Sequence, residues 1–316
     1  MRIGATFSAT HARWLGLDPA EALAQVIELG LDPLRLCGYW DQPPADLDWQ
    51  LDQAAHAGRR VVLTVGMKAP RWPEFHLPPG EALDLHSGGE VHADLPLTVA
   101  ALTHVEAMVE RFRDRSVIEW WQVENEPSNK SGPHRWWISP AVVAREVAAV
   151  RARDHRPIVL TTFGHFSRLV DEFSGHAFWN PAAVLGHGSG VEPELLELMQ
   201  AGDVLGLDVY RSIGRRGSWV AHAGSPVSYL RYWQAKAGAR GIECWVTELQ
   251  AEPWEATAAT EWEPRSVGPT DVADRLAEVR TAGTGTVLLW GVEYWLAQAK
   301  RGNPAWLSAG RAALKA

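Results

Sequence analysis

Two hydrophobic rhythms alternate along this chain. Short runs in which nearly every position is apolar, such as Val61-Val62-Leu63-Thr64-Val65, predict strands buried on both faces. Between them lie longer stretches with apolar residues three and four apart, as in Leu102, Val105, Met108, Val109 and Phe112. That spacing predicts helices burying one stripe. The strand-type runs cover 3–7, 34–37, 60–65, 117–123, 158–162, 204–209, 242–247 and 286–290. Helix-type patterns cover 46–57, 97–113, 140–153, 193–200, 227–239 and 270–281, with a helical tail. The first helix opens at Asp18-Pro19-Ala20-Glu21, with a capping aspartate and proline at its first position, and Gly30 closes it.

Eight strands, each followed by a helix, predict class α/β and a single parallel (β/α)8 TIM barrel spanning 1–316. Such barrels run to ~250 residues or more with insertions. No charged or low-complexity linker divides the chain, and no short-period repeat appears. The longest loops follow the third, fifth and seventh strands, on the C-terminal rim where barrel enzymes keep their chemistry.

Composition narrows the partners. The net charge is −8 with a pI near 5.8, and no basic run stands out, which argues against nucleic acid and anionic membrane. No run of ~18 apolar residues suggests a membrane span. The N-terminus enters a strand pattern without the apolar stretch of a secretory signal, so a cytoplasmic location is expected. Cys37 and Cys244 each lie in a strand-type run and read as reduced, buried thiols. The sequon Asn129-Lys130-Ser131 carries no meaning without secretion. No phosphate-binding loop follows a strand; Gly186-His187-Gly188-Ser189-Gly190 has no strand before it and reads as a lid or turn. No nucleophile elbow and no cofactor motif appear, and oligomeric state is not legible. Tryptophan is the outlier, at 17 copies against 7 Phe and 5 Tyr. Trp72, Trp136, Trp137, Trp179, Trp254 and Trp262 lie in loop-like stretches, where exposed indoles would stack on sugar rings.

Two glutamates stand where buried strands give way to loop: Glu126, in Asn125-Glu126-Pro127 after the fourth strand, and Glu248, ending the seventh. Taking a carboxylate out of water is costly unless it is paired, so neither position suits a purely structural acid. In a barrel both reach the same rim. The arrangement resembles the retaining glycoside hydrolases of the cellulase-like clan, clan A, with a family-5-like pattern. The resemblance covers nearly the whole chain in topology and a few short segments in motif. It implies Glu126 as acid/base and Glu248 as nucleophile in a double displacement on β-linked glycosides, with no metal or other cofactor. Asn125 would bond the sugar 2-hydroxyl, Tyr210 the nucleophile, and Trp290 would floor the sugar being cleaved.

Beyond the motif, Arg35 would hold Glu248 ionised by charge pairing. Trp40 and Asp41 follow the second strand and would line the pocket. His165, Asp208 and Trp254 complete the substrate-facing set. His165 reads first as a surface histidine, Glu293 as a capping or solvated acid, and Glu124 as structural. The clan often carries a histidine where this chain has Asp208, and another after the third strand, where Lys68, Trp72 and His76 are the choices. Two other readings stay open. One is a metal-dependent sugar isomerase, using Asp208, Glu248 and His165 as ligands. The other is a barrel that binds carbohydrate without cleaving it.

Overall fold

The structure, a computed structural model, describes residues 1–165, 191–214, 219–255 and 262–316. Its barrel strands are β1 (Arg2–Phe7), β2 (Leu34–Cys37), β3 (Val61–Val65), β4 (Ile118–Val123), β5 (Ile158–Thr162), β6 (Val204–Val209), β7 (Glu243–Gln250) and β8 (Thr286–Trp290). They pair in parallel and in order, and β8 closes on β1 through Arg2↔Thr286 to Ala5↔Leu289. The apolar runs are continuous because each strand is covered on both sides. Outward residues such as Leu63, Val65, Trp121 and Leu207 join the main core under the helices. Inward, Val62, Trp120, Val159, Val204 and Trp245 form a separate core inside the barrel.

The described helices are α1 (Ala9–Trp14), α2 (Pro19–Glu28), α3 (Ala45–His56), α4 (Pro96–Phe112), α5 (Pro140–Arg151), α6 (Glu192–Glu197), α7 (Val227–Gly238), α8 (Asp271–Thr281), α9 (Val292–Lys300) and α10 (Ala305–Lys315), and all but α1 follow the predicted pattern. The cap of α2 forms as expected: Asp18 Oδ1 accepts from the Ala20 and Glu21 amides. α1 has no counterpart in the sequence reading. It is only six residues long, too short for a periodic pattern, and Ser8 caps it by accepting from the His11 amide.

Two departures at the rim matter more than the small shifts in element ends. The first is β7, which runs to Gln250 rather than 247, so Glu248 lies within it. Its register against β6 slips between Val246 and Glu248, with Glu248 opposite Asp208. Such a bulge turns a side chain out of simple alternation and is frequent beside functional sites. The second is that the β4 and β6 loops are also elaborated. Trp137–Ile138 pairs with Glu90–Val91 from the β3 loop, and Ser212–Gly214 pairs with Val220–His222. Trp179 and Gly186–Gly190 lie outside the described residues. Among the described residues, no helix is long and apolar enough to cross a membrane. Cys37 and Cys244 are free, the first buried and the second half-buried.

Candidate active site

Polar side chains fill the barrel interior toward its C-terminal mouth. Arg35 on β2 is fully buried; its Nε donates to Thr6 Oγ1 at 2.8 Å and its Nη1 to Gln122 Oε1 at 3.2 Å. Its Nη2 donates to Glu248 Oε1 at 2.6 Å. These bonds run from β2 to β1, β4 and β7, and only a closed barrel lets one guanidinium reach all three. The Tyr210 hydroxyl donates to Glu248 Oε2 at 2.6 Å. Both oxygens of Glu248 therefore face strong donors. Burial works against the Arg35 charge, but Glu248 and then Asp208 outweigh it and hold its pKa above the ordinary value.

Glu126 is held differently. It sits just past β4 in a left-handed turn, φ 44°. Its amide donates to Thr161 Oγ1 at 2.8 Å, and its carbonyl accepts from Lys68 Nζ at 2.5 Å. Its Oε2 accepts from Asn129 Nδ2 at 2.9 Å, while Oε1 has no partner among the described residues. Burial first, then the charge of Glu248, pushes its pKa up to about 8, against the pull of the Lys68 ammonium. One carboxyl oxygen each from Glu126, Asp208 and Glu248 lie within 4.8 Å of one another. Glu126, Glu248, Asn125, Tyr210, Trp254 and Trp290 line a cavity of about 720 Å³. Asn125 Oδ1 accepts from Gln122 Nε2 at 3.0 Å, which fixes its amide at the cavity edge.

Four pocket-lining expectations fall elsewhere, those for Asp208, His165, Trp40 and Asp41. Asp208 is fully buried behind Glu248, taking a hydrogen bond from Thr247 Oγ1 at 2.7 Å, and does not line the cavity. Burial, then Glu248 and Glu126, raises its pKa well above the ordinary value. His165 is neither a surface residue nor part of the wall. It packs behind Tyr210, with Nδ1 3.3 Å from the Tyr210 carbonyl, and burial lowers its pKa to about 4. Trp40 turns away toward α4 and stacks on His104 at 5.3 Å. Asp41 instead pairs with His76, 3.4 Å away.

Of the loop tryptophans, Trp72 and Trp254 are exposed at 71% and 43% and line the cavity. Trp136 is buried against His134, Trp137 is half-buried, and Trp262 stacks on Tyr294 at 5.7 Å. Of the three choices after β3, Lys68 is buried as a brace on the Glu126 and Asn129 carbonyls, whereas Trp72 and His76 reach the cavity.

Glu124 is structural, as its orientation opposite Asn125 suggested. It accepts from the Met67 and Lys68 amides at 2.9 and 2.6 Å, and a Cβ on Gly66 (φ 126°) would meet its carboxyl at 2.4 Å. Beside it lies buried Glu146, whose oxygens accept no hydrogen bond of ordinary geometry among the described residues. Burial raises both pKa values, that of Glu124 to about 7. Both carboxyls bind protons more tightly folded than unfolded. The Glu124 contribution is full below the ordinary value of 4.5 and is lost as pH rises through about 7, and that of Glu146 falls in the same direction. Glu146→Gln is expected to raise the melting temperature increasingly as pH rises above 5, read by calorimetry.

Several cavity residues had no sequence signal: Ser8, His11 and Trp14 from the unforeseen α1 region, Tyr39, and above all Arg71 and Glu252, which pair across 181 positions. Glu293 is neither a cap nor solvated. It is fully buried, accepting from the Ser8 amide at 2.8 Å and from Arg71 Nη2 at 3.2 Å.

No family model and no curated protein matches the sequence. Solved structures do match. A GH5_18 structure from Bifidobacterium longum, in complex with Manb1-4GlcNAc, aligns with a TM-score of 0.59 at 16% identity, over 100% of this chain and 78% of that one. An exo-β-1,4-mannosidase from Opitutaceae bacterium strain TAV5 aligns at 0.58 and 13% identity, over 99% of this chain and 59% of that one. A GH113 β-1,4-mannanase aligns at 0.58 and 11% identity over the full length of both chains. The chain thus shares the (β/α)8 barrel of the clan A glycoside hydrolases.

Proposed function

We propose that this protein is a retaining β-glycosidase in which Glu126 is the acid/base and Glu248 the nucleophile. One observation carries the reading: two buried carboxyls meet in one cavity in opposite electrostatic settings. Both oxygens of Glu248 are met by donors, from Arg35 and Tyr210, which favours a carboxylate aimed for attack. Glu126 is pushed up to about 8 with one oxygen unpartnered, as suits a proton donor to a leaving oxygen. Carboxyl oxygens of the pair within 4.8 Å favour retention, because inversion needs a gap of ~6.5–9.5 Å to admit a water.

In this mechanism Glu126 protonates the glycosidic oxygen while Glu248 attacks the anomeric carbon. Water, deprotonated by Glu126, then releases the sugar from Glu248. Asn125 bonds the 2-hydroxyl, Arg35 and Tyr210 orient Glu248, and Trp290 and Trp254 flank the ring. Asp208 and His165 act from behind, as supports of Glu248 and Tyr210. A cation held by Glu126, Asp208 and Glu248 would compete with Arg35, whose guanidinium already occupies a Glu248 oxygen. Turnover is therefore expected to survive a chelator.

The test is a panel of aryl β-glycosides, with the anomer of the first product read by NMR. β-Mannosides head the panel because the mannosidase and mannanase neighbours act on them by name. Release of the inverted anomer, or no cleavage of any member, would sink the reading. Exposed Trp72 supplies a stacking face but touches no reacting atom. Trp72→Ala is expected to raise KM by about 3- to 10-fold with kcat and melting temperature little changed.

A further inference from the structure

The acid and the nucleophile leave a second polar group in the same cavity unused. Arg71, from the β3 loop and left-handed at φ 86°, lays its guanidinium 4.0 Å over the Trp290 ring. It donates to Glu252 Oε1 and, at 3.2 Å, to Glu293 Oε2. Glu293 in turn accepts from the Ser8 amide, so the array is tied to the ends of β1, β7 and β8. A non-glycine residue at such a φ persists only where its surroundings hold it. Gly291, at φ 105°, makes room: a Cβ there would lie 2.2 Å from Glu252 Cβ.

Glu252 is only 8% exposed, yet its Oε2 has no hydrogen-bond partner among the described residues, and neither has His11 Nε2. The two atoms stand 3.8 Å apart in the cavity wall. That is too far for a direct hydrogen bond and suits one hydroxyl lodged about 2.8 Å from each. Burial opposes the Glu252 charge, but Arg71 and then His11 outweigh it and hold its pKa near about 2. An ionised carboxylate only accepts, so its missing partner must be a donor.

We infer that Glu252 and His11 form a specificity site that reads one hydroxyl of the glycone ring, with Arg71 as the positioning residue behind Glu252. The hydroxyl donates to Glu252 Oε2 and accepts from His11 Nε2–H. The inference rests on the glycosidase reading and narrows it to sugars bearing a hydroxyl at that position.

The test compares wild type, Glu252→Gln and His11→Phe on the best aryl β-glycoside and on its 3-, 4- and 6-deoxy analogues. Glutamine keeps an oxygen for Arg71, and His11→Phe leaves that pair untouched. Each variant is expected to lose about 10- to 100-fold in kcat/KM on the parent. On one deoxy analogue, the same for both variants, the loss should shrink below about threefold. Equal losses on every analogue would reduce Glu252 to a brace for Arg71 and overturn the inference, as would no loss at all. If the wild type cleaves nothing, the catalytic reading fails by itself. Tryptophan-fluorescence titration with methyl β-glycosides and their deoxy forms then decides the site. The same non-additive pattern in Kd supports it; absent or additive binding effects overturn it.

Discussion

Glu248→Gln is expected to abolish turnover of an aryl β-glycoside, with kcat falling by about 10⁴-fold or more. The amide keeps the shape; its oxygen can still accept from Arg35 and its NH2 can donate to the Tyr210 hydroxyl, so the fold and the cavity should persist. What disappears is the negative charge that, in the proposed mechanism, attacks the anomeric carbon. Sugar binding should survive, which separates loss of chemistry from loss of structure. The substitution carries a second readout. The Glu248 charge is one of the two main reasons Glu126 is pushed to about 8. In Glu248→Gln the Glu126 carboxyl should titrate below that value, visible by NMR of labelled carboxyl carbons. Retained turnover would remove Glu248 from the mechanism, and an unmoved Glu126 would mean the two carboxyls do not sense each other.

Glu126→Gln should discriminate between substrates. With a poor leaving group, such as a second sugar, departure requires a proton, and kcat/KM is expected to fall about 10²- to 10⁴-fold. With a dinitrophenyl aglycone, which leaves unaided, the fall should be slight. Breakdown of the glycosyl-enzyme still needs a base, so the activated substrate should show a burst followed by slow turnover. The pH profile supplies the sign. Glu126 acts as acid only while protonated, so wild-type kcat/KM on the poor leaving group should decline as pH rises through about 8. That limb should vanish in the variant. Equal loss on both substrates, or an unchanged alkaline limb, would assign the proton to another group.

How far these residues could be found in advance depended on the range over which their signal acts. Strand and helix periodicity comes from a few successive residues, so β2, β5, β6 and β8 match their apolar runs end for end. Glu126 was legible because Asn125-Glu126-Pro127 is contiguous and its place after a fourth strand can be counted. Glu248 was legible at a strand end, although β7 continues past it and bulges beside it to present it to the cavity. Arg35 sits at a countable position on β2, whereas the contact of Tyr210, one position past β6, with Glu248 was implied by the clan resemblance.

The loop residues gave no such handle. Trp40 and His165 stood at plausible positions after strands, yet one packs on His104 and the other behind Tyr210. Glu293 read as solvated because its partners, Arg71 and the Ser8 amide, come from distant parts of the chain. Arg71 and Glu252 belong to no motif, and nothing local announces that they will pair.

The amino-acid pattern alone thus determined an eight-fold alternation of strand and helix and the two glutamates at rim positions, because hydrogen-bonded backbone repeats stamp their period on neighbouring residues. Only the tertiary structure decided which polar side chains share the cavity and which lie behind its wall. That choice depends on barrel closure, on the β7 register slip and on the paths of long loops, and it is made between residues too far apart for any local spacing to record.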